Sequence, residues 1–235
     1  MRPTTQPPPK VLAFDTFGTV TDWHTGVSAV LAEQFPGVDA SALARAWRRT
    51  YAPALAEVES GVRPWTLLDD IHRETLVSLL VDHVEGTPTN AAIDAAVHAW
   101  HTLPGWPDAV DGLRRLTSRF TVCALSNGNV ALLSEMAKRN GFPWDVIGGA
   151  DLWRHYKPAP EVYLGLAGLL QVQPGEVMMV ATHADDLDAA RALGLRTAYV
   201  ERPREWGPET KSVTLNPLDD HHVGDIGELA TALGC

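Results

Sequence analysis

The apolar residues in the second half of the chain fall into short runs, each followed by a longer segment with helical periodicity. An earlier run of this kind, VLAF at Val11–Phe14, is bounded by turn residues and is typical of a buried parallel strand. Strands that alternate with single helices indicate βαβ units, so the pattern predicts an α/β fold with a Rossmann-like parallel sheet. The elements predicted after residue 107 are helices over 108–118, 130–140, 159–170 and 185–194, and strands over 120–127, 145–149, 176–182 and 196–200.

Between about Gly26 and Trp100 the apolar residues instead recur at three- and four-residue intervals, and no strand pattern interrupts them. Three amphipathic helices are predicted there, with Ser41 as the N-cap of the first and Asn90 as the N-cap of the last. We therefore expect a helical domain inserted after the first strand.

The expected division gives the helical insert residues 23–100 and the α/β core residues 11–22 and 101–235. Residues 1–10 are rich in proline and are expected to be a disordered lead-in.

The net charge of the chain argues against some classes of binding partner. The chain has 235 residues, a formal net charge of −10 and a pI near 5.3. An acidic protein repels nucleic acids and anionic membranes, so neither is an expected partner, and an anionic substrate must be held by a few local cations. No apolar run reaches 18 residues, which argues against a membrane-spanning helix.

The cysteines and the first residues indicate a cytoplasmic location. Cys123 and Cys235 fit neither a metal-binding nor a disulfide spacing, as expected in a reducing compartment. The first ten residues also lack the apolar stretch of a signal peptide.

Polar residues follow several of the predicted strands. Ligands of open parallel sheets bind beyond the carboxyl ends of the strands, so these residues are expected to meet at one edge. They are Asp15 after the first strand, Ser126 and Asn127 after the next, Lys157 beyond the third, and Thr182, His183, Asp185 and Asp186 after the fourth.

The Asp15 carboxylate is the candidate nucleophile. A lone aspartate at a strand end is usually a turn or capping residue. Here, however, Gly18 and Thr19 complete an Asp-x-x-Gly-Thr loop that can direct donors at the carboxylate, and Lys157 supplies a cation. A carboxylate held in this way stays ionised and can attack an electrophile.

Four segments, DTFGT, LSNGN, YKPAPEVY and VATHADDLDAARALG, resemble the four motifs of the haloacid dehalogenase superfamily, in the same order and with similar separations. The resemblance extends from Val11 to about Val200, and the helical insert is similar to the superfamily's cap domain. It implies that Asp15 attacks the substrate and forms a covalent intermediate, that Thr19 positions Asp15, and that Lys157 pairs with Asp15 and Asp186.

Phe17 distinguishes between branches of this superfamily. In the phosphatases the residue at this place is an acid that protonates the leaving group and helps to hold magnesium, and the last motif usually has a further acid where Thr182 stands. Phenylalanine cannot donate a proton, and Mg²⁺ usually needs more than one carboxylate. We therefore expect no metal and no other cofactor.

An aromatic residue at position 17 resembles the 2-haloacid dehalogenase branch. This resemblance implies that Asp15 displaces halide from C2 of a small 2-haloacid with inversion, and that water then hydrolyses the aspartyl ester to a 2-hydroxy acid. A halide ion leaves without needing a proton, so an acidic residue at position 17 is not required in this branch. It also implies a substrate-site role for Phe17 and a homodimer.

The same resemblance suggests which residues bind the substrate. Arg48, or alternatively Arg49, lies near the halide and the substrate, Asn127 cradles the halide, Ser126 binds the substrate carboxylate and Tyr163 lines the pocket. Ordinary alternatives are a solvated helix face for the two arginines and a packing role for the tyrosine.

His183 departs from the branch, whose last motif reads Ser-Ser-Asn-Ala-x-Asp where this chain has Ala181 to Asp186, ATHADD. Either His183 takes the place of the amide as a donor, or a neutral His183 accepts a proton from the hydrolytic water.

Three other functions stay open. The first two are a magnesium-dependent phosphatase or phosphonatase, against which Phe17 and Thr182 argue, and a metal-free hydrolase acting on another activated carbon, such as that of a C–N bond. A non-catalytic binding protein is the third, and the presence of Asp15, Lys157 and Asp186 together argues against it.

Overall fold

The computed structural model describes residues 8–84, 86–208 and 216–235. Most of the predicted disordered lead-in, residues 1–7, lies outside this range. Lys10 is ordered, because its backbone N–H donates to the Glu176 carbonyl over 2.7 Å and its ammonium pairs with the Glu176 carboxylate.

In the described parts of the chain, six parallel strands form one sheet in the order β3-β2-β1-β4-β5-β6, which confirms the predicted α/β class. The first strand lies between β2 and β4, and all four of its residues are buried, which is why its sequence is uniformly apolar. The strands are β1 Val11–Phe14, β2 Thr121–Ser126, β3 Val146–Gly149, β4 Val177–Ala181, β5 Arg196–Val200 and β6 His221–Val223.

The register explains how distant residues meet. Phe14 pairs with Ala124 of β2 and with Val180 of β4, so the residues that follow these positions leave the sheet at the same edge. Asp15 also donates its backbone N–H to the Val180 carbonyl over 3.0 Å.

Helices after the insert alternate with the strands as the periodicity predicts. β6 and the helix after it were not predicted from the sequence. The three residues of β6 include two histidines and so form no apolar run. The helices are α5 Ala109–Thr117, α6 Val130–Asn140, α7 Pro160–Leu169, α8 Ala184–Ala192 and α9 Ile226–Ala232.

Among the described residues, four helices lie between β1 and β2, where a helical insert is predicted. A 3₁₀ turn over Ala99–Thr102 follows the last of them. The division of the chain into a 23–100 cap and a core stays a prediction, because one continuous cluster of buried apolar residues joins the insert to the sheet. These helices are α1 Trp23–Gln34, α2 Ala40–Glu59, α3 Leu68–His83 and α4 Asn90–His98.

Both predicted N-caps in the insert were wrong. Asp39 caps α2 by accepting the Ala42 N–H over 2.9 Å, while the Ser41 hydroxyl bonds instead to Arg45. Thr89 caps α4, and Asn90 is already the first helical residue.

The aromatic residues of the insert form much of its core. Trp23 and Trp47 pack around Trp100, whose ring stacks on the buried His72 ring at 4.4 Å. Among the described residues, no helix combines the length and the apolar character needed to cross a membrane.

Candidate active site

A cavity of about 700 Å³ lies at the carboxyl edge of the sheet. Asp15 and Asn127 reach it from the strand ends, and α2 covers it from the insert. The α2 residues that line it recur at helical spacing and so form one face of that helix. They are Arg48, Arg49, Tyr51, Ala52, Leu55, Ala56 and Glu59.

Donors fix the Asp15 carboxylate from several directions. Lys157 Nζ lies 3.0 Å from Oδ1, the Thr19 hydroxyl donates to Oδ2 over 2.9 Å, and His183 Nδ1 lies 3.3 Å from Oδ2. Thr19 in turn accepts the Thr182 backbone N–H, which sets the direction of its own proton. Burial raises the pKa of Asp15, but the Lys157 and His183 charges outweigh it and hold that pKa well below its ordinary value.

Lys157 joins two buried carboxylates. Its ammonium is also hydrogen-bonded to Asp186 Oδ2, and the Tyr163 hydroxyl donates to Asp186 Oδ1 over 2.7 Å. The side-chain amide of Asn127 accepts the Lys157 backbone N–H over 2.6 Å and so holds the lysine loop beside β2. Lys157 therefore enters the site as a fixed cation.

His183 lies between two carboxylates. Its Nε2 is 2.9 Å from Glu205 Oε1, which also accepts from Trp23 Nε1, while its Nδ1 faces Asp15. Burial opposes a charge on His183, but hydrogen bonds to Asp15 and Glu205 prevail and raise its pKa to about 10. With a carboxylate at each ring nitrogen, the resting side chain is favoured as an imidazolium, which fits the donor role, one of the two roles that the sequence leaves open.

Gly18 makes room for this arrangement. Its φ is +91°, and a Cβ at this position would lie 2.6 Å from Glu205 Oε1. A larger residue would therefore force the glutamate away from His183.

The two candidate arginines have different surroundings. The Arg48 guanidinium lies 4.2 Å from the centroid of the Tyr51 ring, and its buried Nη1 has no hydrogen-bond partner in the part of the chain that the structure describes. Arg49 is exposed and lies 6.0 Å from the Trp206 ring. A buried guanidinium N–H that lacks an acceptor favours the binding of an anion beside it.

A sequence model of the family described as haloacid dehalogenase-like hydrolase matches residues 9–194. The chain belongs to this family of hydrolases. It is 29% identical over 226 residues to (S)-2-haloacid dehalogenase 4A of Burkholderia cepacia, with 94% of this chain and 93% of the relative covered.

Two solved structures are also similar to this haloacid dehalogenase-like hydrolase. One is a defluorinating L-2-haloacid dehalogenase, with 41% identity, a TM-score of 0.94, and coverage of 99% of this chain and 98% of the other. The second is another L-2-haloacid dehalogenase, with 38% identity, a TM-score of 0.89, and coverage of 96% and 100%.

The donors around Asp15 do not suit the magnesium ion used by phosphatases of the superfamily. Both Asp15 oxygens already accept from Lys157, Thr19 and His183, and Asp186 accepts from Lys157 and Tyr163. Mg²⁺ needs several oxygen ligands in octahedral geometry, so it would have to displace an ammonium or an imidazolium group.

Two predicted substrate contacts differ from the geometry of this hydrolase. Phe17 is buried in the core, where its ring meets Trp100 edge-on at 5.6 Å, and Ser126 Oγ lies 2.6 Å from the Thr16 hydroxyl. Neither residue is among the described residues that line the cavity. Their sequence positions place them at the strand ends, but packing turns their side chains away from the cavity.

The other predicted residues do gather at the cavity. Thr19 is fully buried behind Asp15, whereas the rest form the cavity wall. Those in the wall are Asp15, Arg48, Asn127, Lys157, Tyr163, His183 and Asp186.

Sequence reasoning missed Tyr51, Glu59, Glu205 and Trp206. The first two follow Arg48 at intervals of three and eleven residues, so the helical pattern of α2 could have identified them. Glu59 also accepts from the Tyr156 backbone N–H over 2.6 Å, which links α2 to the lysine loop. Glu205 and Trp206 belong to a loop after β5 that carries no periodic signal.

Proposed function

We propose that this hydrolase removes halide from a small (S)-2-haloacid and releases the 2-hydroxy acid. The observation that carries the proposal is the ionised, immobilised Asp15 carboxylate in a cavity also lined by Arg48, whose buried Nη1 has no hydrogen-bond partner among the described residues. The names of the three relatives reported above, each a 2-haloacid dehalogenase, support the same substrate class.

In the first step, Asp15 acts as the nucleophile. A carboxylate has about four lone-pair sites, and three of those of Asp15 accept from Lys157, Thr19 and His183, which leaves one for attack. An Asp15 oxygen forms a bond to C2 while the bond from C2 to the halogen breaks, with inversion, and halide departs with the electron pair. Arg48 holds the anionic end of the substrate or the departing halide.

In the second step, water attacks the carbonyl carbon of the Asp15 ester. The free lone-pair site is on Oδ1, so Oδ1 becomes the oxygen bonded to C2 and Oδ2 becomes the ester carbonyl oxygen, whose developing negative charge the Thr19 hydroxyl stabilises from 2.9 Å. The bond between the carbonyl carbon and Oδ1 then breaks, and Lys157, 3.0 Å from Oδ1, stabilises the charge on the departing oxygen. This oxygen stays on C2, takes up a proton and leaves as the hydroxyl of the 2-hydroxy acid, while the water oxygen completes the regenerated Asp15 carboxylate.

His183 changes its protonation during this cycle. When Asp15 becomes a neutral ester, His183 loses one of its two carboxylate partners, so its pKa falls from about 10 towards its ordinary value. The imidazole can then accept the proton of the attacking water, and Glu205 keeps the ring oriented. A neutral His183 base, one of the two roles that the sequence leaves open, therefore forms only after halide has left.

A halide-release assay tests the proposed function. With (S)-2-chloropropionate and chloroacetate we expect chloride release that persists in EDTA, and with (R)-2-chloropropionate at least a tenfold lower rate, which corresponds to about 1.4 kcal/mol. Phosphate release from phosphate esters that requires Mg²⁺, without chloride release, would contradict the proposal and favour the phosphatase alternative.

Arg48 and Arg49 are compared by single alanine substitutions. Arg48→Ala should lower kcat/KM by about 100-fold, since a charge-assisted hydrogen bond contributes roughly 1.5–3 kcal/mol. Arg49→Ala is the matched control on the same helix and should stay within about threefold of the wild type. Equal losses in the two variants would show that Arg48 has no special role.

The homodimer and the cytoplasmic location stay predictions. Size-exclusion chromatography coupled to light scattering gives the mass in solution, and a mass near twice the 25.5 kDa chain would support the dimer.

A further inference from the structure

Two histidines and a glutamate meet where the helical insert faces α6, in a group separate from the Asp15 site. His98 ends α4, His101 lies in the following 3₁₀ turn, and Glu135 projects from α6. His98 Nε2 is 2.8 Å from Glu135 Oε1, and His101 Nδ1 is 3.1 Å from Glu135 Oε2. One ligand atom from each residue can be chosen so that all three lie within 4.8 Å of one another.

A further carboxylate orients His101. Its Nε2 lies 3.1 Å from Asp69 Oδ1, and the Asn129 amide contacts Asp69 Oδ2 at 3.3 Å. A histidine that binds a metal through one ring nitrogen usually donates its other N–H to a carboxylate, which fixes the ring and increases its basicity. Asp69 provides this arrangement and leaves Nδ1 directed at the cluster.

Ion pairing alone does not account for the whole arrangement. The His98–Glu135 pair is about half exposed on both sides, and exposed pairs of this kind contribute little stability. His101, by contrast, is only 14% exposed and lies between two carboxylates, so three elements of the fold converge on one imidazole ring.

We propose that His98, His101 and Glu135 form a binding site for a divalent transition-metal ion of the Zn²⁺ class, completed by water. Two imidazole nitrogens and one carboxylate oxygen suit Zn²⁺, whereas Mg²⁺ and Ca²⁺ prefer oxygen ligands alone. Ligand atoms around a tetrahedral Zn²⁺ ion are about 3.3 Å apart, given bonds of about 2.0 Å. His98 Nε2 and His101 Nδ1 lie 2.8 and 3.1 Å from different oxygens of Glu135, and one ligand atom of each residue lies within 4.8 Å of the others, so side-chain rotation has to bring these atoms to the tetrahedral spacing.

Metal binding at this site is expected to stabilise the folded chain. A bound ion would replace the protons now shared between the histidines and Glu135, and it would tie α4 and the 3₁₀ turn to α6 by coordination bonds. Because such an ion binds the folded chain preferentially, it should raise the thermal midpoint of unfolding.

Titration calorimetry and equilibrium dialysis of the full chain with ZnCl₂, after removal of bound metal with EDTA and removal of the chelator, test the site. We expect one Zn²⁺ ion per chain and a higher thermal midpoint in its presence. His98→Ala and Glu135→Gln should each weaken binding by roughly 100-fold, and Asp69→Asn by about tenfold. The His98 and Glu135 side chains are about half exposed, so these variants should fold normally.

His83→Ala is the matched control, since this exposed histidine of α3 bonds only to the Leu79 carbonyl among the hydrogen bonds of the described residues. It should bind zinc as the wild type does. The proposal is overturned if the wild type binds no zinc, or if His98→Ala binds it as tightly as the wild type. Neither result depends on the dehalogenase activity.

Discussion

Replacing Asp15 with asparagine should lower kcat by about 10⁴-fold or more, which corresponds to a loss of about 5.4 kcal/mol of transition-state stabilisation. The side chain keeps its shape, but a neutral amide is a poor nucleophile and cannot form the aspartyl ester. Chloride release measures the loss of turnover. Intact-protein mass spectrometry of a single turnover should reveal no covalent adduct.

Asp185→Asn is the matched control for this substitution. Asp185 lines the same cavity and follows His183 by two residues, yet it is exposed and no hydrogen bond links it to Asp15 among the described residues. Its turnover should stay within about threefold of the wild type. If Asp15→Asn, with an unchanged thermal midpoint and no deamidation by mass, still released chloride at the wild-type rate, the proposed mechanism would fail.

Replacing His183 with asparagine should separate the two chemical steps. The first equivalent of chloride should still appear, because Lys157 and Thr19 keep Asp15 ionised and oriented. Ester hydrolysis should then slow by about 10²–10³-fold, the usual contribution of a general base. A burst of one chloride per chain, with the ester accumulating in the mass spectrum, is the expected result.

Glu205→Gln gives a graded control for His183. It keeps a hydrogen-bonding group beside Nε2 but removes the negative charge, so hydrolysis should slow less than in His183→Asn. If the ester decays in His183→Asn as fast as in the wild type, His183 is not the base and merely fills the place of the amide.

The His183→Asn substitution should also change the stability of the folded chain, by an amount that depends on pH. The pKa of His183 is raised in the folded state, from 6.5 to about 10, by Asp15 and Glu205 against the effect of burial. The stabilisation is therefore complete below about pH 6.5 and is lost as the pH rises towards 10. Urea unfolding should give a wild-type advantage over His183→Asn on the order of 2 kcal/mol at pH 6, reduced at pH 9.5. An advantage that does not change with pH would contradict this assignment of charge.

The local sequence determined the sheet. Apolar runs such as Val11–Phe14 predict buried strands because both faces of a parallel sheet are covered, and their alternation with helices predicts βαβ units. β6 escaped prediction because its three residues owe their strand conformation to pairing with β5 and not to their own pattern.

The sequence also determined which polar residues come near the cavity. Asp15, Lys157 and Asp186 follow strands that must end at one edge, so their convergence follows from topology alone. The order of the motifs also predicts that Asp15 is a nucleophile. Phe17 stands where the phosphatases have the acid that protonates the leaving group, so this chain lacks that proton donor.

Only the tertiary structure decided the directions and charges of the side chains. Ser126 and Phe17 sit at predicted positions, but the Ser126 hydroxyl is hydrogen-bonded to Thr16 and the Phe17 ring packs against Trp100, so neither side chain is among the described residues that line the cavity. His183 is a cation because Glu205, 22 residues further along the chain, lies against its second nitrogen. This contact depends on how the loop that carries Glu205 folds back over the sheet. A local sequence pattern does not show which residues so far apart in the chain will meet.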